Sequence, residues 1–271
     1  MTPANHEGGD VAAGASPGLL LRHLANYVAA VSLADRLPGP VGTLVDVGAG
    51  TGALAVWAQR RLRARRLDLV DHDGAVRRIA RAAWPEVGTH ADVHHLPAAH
   101  AELVTAMEVL EHIRPSDQRD AVRAMADIVA PGGLLVASTP DERGYVGGWS
   151  GYAPHIGVLD PISLAQLLAD ATGWPHAVWR LVGGPFALGL RERVGEPAVN
   201  RARSGLGRLA PKRLAALEQA SSRARSPRTP PVVTPVTAIA AGGGHRAARA
   251  GSGLLAVAAR PRLDPATPAA D

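Results

Sequence analysis

The chain is predicted to fold as an α/β protein, a mostly parallel sheet covered by helices on both faces. Three observations predict it. Strand-like and helix-like runs alternate from Leu19 to Val182; a glycine-rich turn, Gly48-Ala-Gly50-Thr-Gly52, joins the first strand directly to a helix; and a last apolar run, Gly253 to Ala259, stands alone about 70 residues further on.

Each element has its own signal. Ser16-Pro17 precedes a run from Leu19 to Leu37 with apolar residues at helical spacing, and Pro38-Gly39-Pro40 stops it. Thr43 to Val47 is a short β-branched strand, followed after the glycine turn by a helix former from Ala53 to Arg65. Leu67 to Val70 is a second strand that ends at Asp71, and Asp73-Gly74 opens a helix through Ala83. A third short strand ends at Asp92, and a fourth covers Leu103 to Met107. A helix from Ser116 to Val129, a Pro131-Gly132-Gly133 turn and a strand from Leu134 to Ser138 follow. After a long loop come a helix from Ser163 to Thr172 and a strand from Ala177 to Val182. There is no internal repeat, and Ala241 to Gly244 reads as a loop because no strand precedes it directly.

Composition narrows the classes. With 271 residues and 46% apolar side chains the chain can bury one full-sized core. Its expected organisation is a tail over 1–16, a core domain over 17–185, a basic insertion or linker over 186–251, the final core strand over 252–262 and a second tail over 263–271. The absence of cysteine excludes disulfides, thiolate metal sites and a cysteine nucleophile. The first residues carry no basic, apolar leader pattern and no apolar run reaches membrane-spanning length, so a soluble, cytoplasmic protein without membrane insertion is expected. The net charge of +5 is unevenly placed: Met1 to Leu190 holds 15 arginines against 19 acidic residues, whereas Arg191 to Pro230 holds 10 basic residues against 3 glutamates. That segment has no aromatic residue to stack bases, so it reads as a solvated helical insertion or lid, and nucleic acid is not the expected partner.

The glycine turn is the first set of residues with chemistry in it. Gly48, Gly50 and Gly52 let backbone leave a strand sharply and approach a ligand, and the helix that follows offers unpaired N–H groups to an anion. The loop alone fits either a dinucleotide or another nucleotide-like ligand, and Asp71 could bind ribose hydroxyls in both cases. Asp46 discriminates: a carboxylate two residues before Gly48 would repel a pyrophosphate and suit a ligand bearing an ammonium and a sulfonium. S-adenosylmethionine is such a ligand.

Leu44-Val-Asp-Val-Gly-Ala-Gly-Thr-Gly52, Val70-Asp-His-Asp73, Ala91-Asp-Val-His-His-Leu-Pro97 and Glu102-Leu-Val-Thr-Ala-Met-Glu-Val-Leu-Glu-His-Ile113 resemble the successive motifs of class I S-adenosylmethionine-dependent methyltransferases. Val129-Ala-Pro-Gly-Gly133 and Ser138-Thr-Pro140 extend the likeness in the same order. The resemblance implies a Rossmann-like, doubly wound sheet of seven strands, mostly parallel with the last antiparallel, an N-terminal helix, and a basic helical insertion before the last strand. It implies that Asp46, Gly48, Gly50 and Gly52 hold the methionine end, that Asp71 and His72 lie at the ribose, that Asp92 takes the adenine amino group with Val93 beside the ring, and that Met107 lines the cofactor. Glu102 departs from the aromatic-acidic pair usual there. Arg22 is similar to an arginine the relatives use near the cofactor carboxylate, at a longer spacing from Asp46.

Met107 to His112 is most similar to the O-methyltransferases of ubiquinone biosynthesis, in which this stretch implies a divalent cation such as Mg2+. On a helical turn Glu108, Glu111 and His112 would face one way and could serve as its ligands. Two other readings stay open there, His112 as a metal-free base and a purely structural role. The loop from Asp141 to Pro161 holds three of the chain's nine aromatic residues, Tyr145, Trp149 and Tyr152, and should form the pocket for a small-molecule acceptor. Within it His155 resembles the histidine of a family stretch before the next helix and is a second candidate base, or a residue that fixes the loop. The expected function is in-line methyl transfer to a phenol, quinol, sugar or secondary-metabolite hydroxyl. The alternative is a non-catalytic S-adenosylmethionine-binding protein, or one that docks RNA or a partner through the basic insertion.

Overall fold

The computed structural model describes residues 17–145, 148–186, 197–198, 201, 237–240 and 253–262. The two expected tails, nearly all of the basic insertion and the Gly242 to Gly244 loop lie outside the described residues.

The chain opens with helix α1 (Pro17–Ala34) and continues β1 (Thr43–Val47), α2 (Ala53–Leu62), β2 (Arg66–Val70), α3 (Gly74–Ala83) and β3 (Gly88–His90). It then runs β4 (Ala101–Met107), α4 (Pro115–Asp127), β5 (Val129–Pro140), α5 (Pro161–Thr172) and β6 (His176–Val182), followed by β7 (Thr237–Ala240) and β8 (Gly253–Ala259). The strands form one sheet in the order β3-β2-β1-β4-β5-β8-β6-β7. β1 pairs in parallel with β2 and β4, β2 with β3, and β4 with β5. β8, the last strand, slots antiparallel between β5 and β6. This is the doubly wound, mostly parallel Rossmann-like sheet with an N-terminal helix, and β7 adds an antiparallel edge strand beyond β6 that, against expectation, directly precedes Ala241.

The chain winds outward from β1 to β3, then returns to place β4 on the other side of β1. That reversal opens a crevice at the carboxyl ends of β1 and β4, where open α/β sheets bind ligands. Alternate residues of each strand feed two cores. Leu44, Leu67, Leu69, Leu103 and Val136 pack beneath α1, α2 and α3, and Val45, Val104, Ala106, Leu135 and Ala137 pack with α4 and α5. Leu44 and Leu103 are wholly buried, so truncating either to alanine is expected to cost about 2–5 kcal/mol.

Local chemistry explains where the elements stop. α2 ends three residues short of the expected Arg65 because Arg63 turns left-handed, φ 55°, and closes the helix on the carbonyls of Arg60 and Gln59. The side chain of Asp73 caps α3 by accepting from Ala75 and Val76, and Asp160 caps α5 in the same way. Pro131 to Gly133 does not break the chain as a turn: β5 runs through it, with Gly132 left-handed at φ 80° and the register with β4 shifted between Ala101 and Leu103. Among the described residues no helix is long and apolar enough to cross a membrane. A shallow apolar recess of about 350 Å3, lined by Leu33, Leu134, Ala177 and Val257 among others, lies at the opposite end of the sheet from the crevice.

Candidate functional site

The first wall of the crevice is the glycine turn. Gly48, Gly50 and Gly52 have φ of 69°, 56° and 80°, which side chains rarely adopt. A Cβ at Gly48 would collide with Cγ2 of Val109 and one at Gly52 with Cδ1 of Leu69, so space as well as conformation demands glycine. The N–H groups of Gly48 and Ala49 both donate to the carbonyl of Val70, at 2.8 and 3.1 Å, which ties the turn to the end of β2. Gly50 N–H donates to Asp71 Oδ2 at 2.9 Å and Asp73 N–H to Asp71 Oδ1 at 2.8 Å. Each Asp71 oxygen therefore keeps a lone pair, and its half-buried side chain can still accept from a vicinal diol.

Asp46, at the end of β1, is fully buried. It accepts from Tyr27 of α1 at 2.7 Å and from Thr105 of β4 at 2.6 Å. Burial raises its carboxyl to about 7, and the two hydrogen bonds only partly oppose that. A buried acid held near neutrality is poised to ionise when a cation arrives, which suits the ammonium of a methionine moiety. Met107 ends β4, buried beside the same crevice. Asp92 is exposed and accepts from His94 N–H at 3.0 Å, capping a single turn that buries Val93. His72 is 86% exposed beside Asp71.

The structure does not bring Glu108, Glu111 and His112 together. The expected helical turn is not formed there: Glu108 is left-handed, φ 58°, and only Leu110–His112 makes a short 3-10 turn. Glu108 instead faces α1 and β5. Its carboxylate accepts from Asn26 at 3.1 Å, Ser138 Oγ at 3.0 Å and Arg22 at 3.3 Å. Arg22 is thus an ion-pair partner of Glu108.

His112 meets His155 in place of Glu108. The loop carrying His155 is stitched to the 110–113 segment: Gly157 N–H donates to the carbonyl of Glu111 at 2.9 Å, and the Gln118 amide bridges the carbonyls of Leu110 and Gly157 at 2.8 and 2.6 Å. The two imidazoles stand 5.1 Å apart, edge to face, and Tyr152 lies edge-on to His155 at 4.9 Å. Nδ1 of His112 bonds the carbonyl of Pro154, and Nδ1 of His155 bonds the carboxylate of Glu142. Glu142 also accepts from Ser150 N–H at 2.9 Å and Ser150 Oγ at 2.7 Å, so the buried carboxylate is fixed on several sides. With Nδ1 the donor in both rings, the neutral tautomer leaves Nε2 as the acceptor.

Among the described residues the group with metal-ligand spacing is Glu111, His112 and His155, each with one ligand atom within 4.8 Å of the others. Two imidazoles and one carboxylate suit a borderline transition ion; magnesium prefers an all-oxygen shell. The residues therefore do not fit Mg2+, and Glu108 does not belong to the set. Glu142, Tyr27 and Thr105 went unnoticed in the sequence because nothing local marks them. Glu102, the departure from the family pattern, accepts from the N–H groups of Gly42 and Thr43 at 3.1 and 2.7 Å and so anchors the start of β1.

A glycine-lined crevice at the sheet's reversal point, with acids at the ends of β1 and β2, defines an S-adenosylmethionine-dependent methyltransferase domain of class I. The chain belongs to the methyltransferase-domain family, whose model matches residues 20–175. No curated protein matches. Among solved structures the chain is similar to a putative methyltransferase in complex with the Trm112 activator from Haloferax volcanii, at 16% identity over 94% of this chain and 97% of that one, TM-score 0.55. It is similar to the N-methyltransferase NodS from Bradyrhizobium japonicum, at 15% identity over 91% and 98%, TM-score 0.50. The cyclase SpnF is 19% identical over 88% of this chain and 81% of that one, TM-score 0.53. At these identities the likeness is one of fold, and the fold also carries chemistry other than methyl transfer.

Proposed function

We propose that the protein is a cytoplasmic O-methyltransferase for a small-molecule hydroxyl, a phenol, quinol or sugar-type alcohol, most similar to the ubiquinone-biosynthesis O-methyltransferases at Met107 to His112. The observation that carries this reading is the pair of oriented imidazoles, His112 and His155, beside the crevice, the second backed by buried Glu142.

When bound, S-adenosylmethionine supplies an electrophilic methyl group on a sulfonium and leaves as the neutral thioether. Asp46 and the glycine turn would hold its amino-acid end, Asp71 with neighbouring His72 its ribose, Asp92 and Val93 its adenine, and Met107 its floor. His155 would act as the base that takes the acceptor hydroxyl's proton at Nε2, and Glu142, bonded to its Nδ1, would stabilise the imidazolium. His112, in edge-to-face contact with His155, would help to orient the same hydroxyl. Such a pair contributes most where the acceptor is a weak acid.

The test is transfer of labelled methyl from S-adenosylmethionine across a panel of phenols, quinols, glycosides and amines, with His155→Gln beside the wild type. Transfer to a hydroxyl that falls about 100-fold or more in the variant supports the reading. Transfer to amines alone would replace it with N-methylation, and cofactor binding without transfer to any member would favour the non-catalytic alternative.

A further inference from the structure

Two buried polar side chains beside the acceptor loop have hydrogen-bonding capacity that the fold leaves unspent. Arg180 of β6 is 1% exposed, and neither Nη1 nor Nη2 makes a hydrogen bond. Thr139 of β5 is wholly buried and its Oγ1 makes none either. The two sit on the same face of the sheet in one register row, both paired with Leu254 of the intervening β8. Buried donors are nearly always satisfied, and leaving one unsatisfied is costly.

Asp141 accounts for Arg180 only in part. Its Oδ2 lies 3.3 Å from Arg180 Nη2, but both of its oxygens already accept from Arg143, at 2.9 Å each. Asp141 thus shares one negative charge between Arg143, bound at two points, and Arg180, and Nη1 of Arg180 has no hydrogen-bond partner. Burial lowers the pKa of Arg180, and the positive charge of Arg143 adds to that against the attraction of Asp141.

We infer that Arg180 and Thr139 form an acceptor subsite that takes a carboxylate, so that the methyl acceptor is a hydroxy acid. The guanidinium fork matches the two carboxylate oxygens, and the threonine hydroxyl adds a third donor. A single negative charge fits better than a dianionic phosphate, because Asp141 and Glu142 stand next door. Asp141 faces Arg180 while the next residue, Glu142, holds His155, so the anchor and the base are tied to successive carboxylates of one segment. The inference rests on the methyl-transfer reading for the role of the hydroxyl, but not for the binding of the carboxylate.

The test uses the full chain loaded with S-adenosylhomocysteine and compares calorimetric binding of 3,4-dihydroxybenzoate, catechol and inorganic phosphate to the wild type, Arg180→Met and Thr139→Val. The expected result is that dihydroxybenzoate binds roughly 30-fold or more tightly than catechol, and that Arg180→Met erases the difference while S-adenosylmethionine affinity is unchanged. Thr139→Val should weaken it less. Arg180→Gln, which also removes the charge, serves if methionine impairs folding. Equal binding of the two phenols, preference for phosphate, binding of none, or a preference that survives Arg180→Met would overturn the inference. Arg180-dependent binding without methyl transfer would leave the subsite standing and count against the base; transfer with no preference for the acid would do the reverse.

Discussion

The two halves of the crevice are held together by different physics. The cofactor half, from β1 to β3, is shaped mainly by backbone, with Asp46 its buried carboxylate: three left-handed glycines, N–H groups tied to Val70 and Asp71, and short-range contacts across a strand-turn-helix unit. The other half, where the 108–113 segment meets the 141–161 loop, is shaped by buried charge. Glu108, Glu111, Asp141, Glu142 and Arg180 are all buried, and Glu108 and Arg180 take partners from segments far apart in sequence. A backbone-built site tolerates little change in the loop itself, whereas a site built from buried charges can be retuned by single side chains without disturbing the other half.

That contrast can be broken or sharpened experimentally. The largest effect is expected at the base: Glu142→Gln should lower methyl transfer by about 100- to 1,000-fold, with cofactor affinity within about twofold of the wild type, and should shift the pH–rate profile. Rates and calorimetry on the same preparation check it. Gly52→Ala comes next, because a left-handed φ of 80° and the collision with Leu69 act together; a loss of about 2–4 kcal/mol is expected in denaturant melts. Gly148→Ala in the acceptor loop shares the positive φ but meets no atom within 4 Å, so it should lose distinctly less.

Asp46 gives a smaller, pH-dependent signature. Burial raises its carboxyl from an ordinary value near 3.8 to about 7, so its contribution to stability is present in acid and is lost as pH rises from about 4 through about 7. A bound cation favours the ionised form, so cofactor affinity should grow between about pH 6 and 8, and Asp46→Asn should remove that dependence. The smallest effect is expected at Asp68 of β2, outside the crevice. Burial would raise its carboxyl, but hydrogen bonds from Arg66, His100 and His90 outweigh that and hold it at about 2. Its stabilisation is therefore present above about pH 4 and lost as pH falls through about 2, and Asp68→Asn should flatten the acid limb of a melting-temperature profile.

The same contrast explains what the sequence discloses. The strand, glycine turn and helix from Thr43 to Leu62, and the acid at Asp71, are local patterns whose spacing follows from backbone geometry. Glu108 misled because its neighbours suggest a helical turn; the left-handed conformation that turns it to Arg22 and Asn26 depends on a helix more than 80 residues away. Glu142 and Arg180 carry no local signature: one matters because Gly157 and Gln118 fasten a distant loop, the other because β8 arrives between β5 and β6. The edge strand β7 was hidden within a segment whose arginines and prolines read as insertion and linker.

The most direct measurement is calorimetric titration with S-adenosylmethionine of the wild type, Asp46→Asn and Glu142→Gln at pH 6 and pH 8. The wild type should bind more tightly at the higher pH. Asp46→Asn should bind about 10- to 100-fold more weakly with little pH dependence, and Glu142→Gln should match the wild type. No binding by the wild type, an Asp46→Asn protein that binds as well, or a Glu142→Gln protein that loses the cofactor would contradict the division of the crevice into two separately built halves.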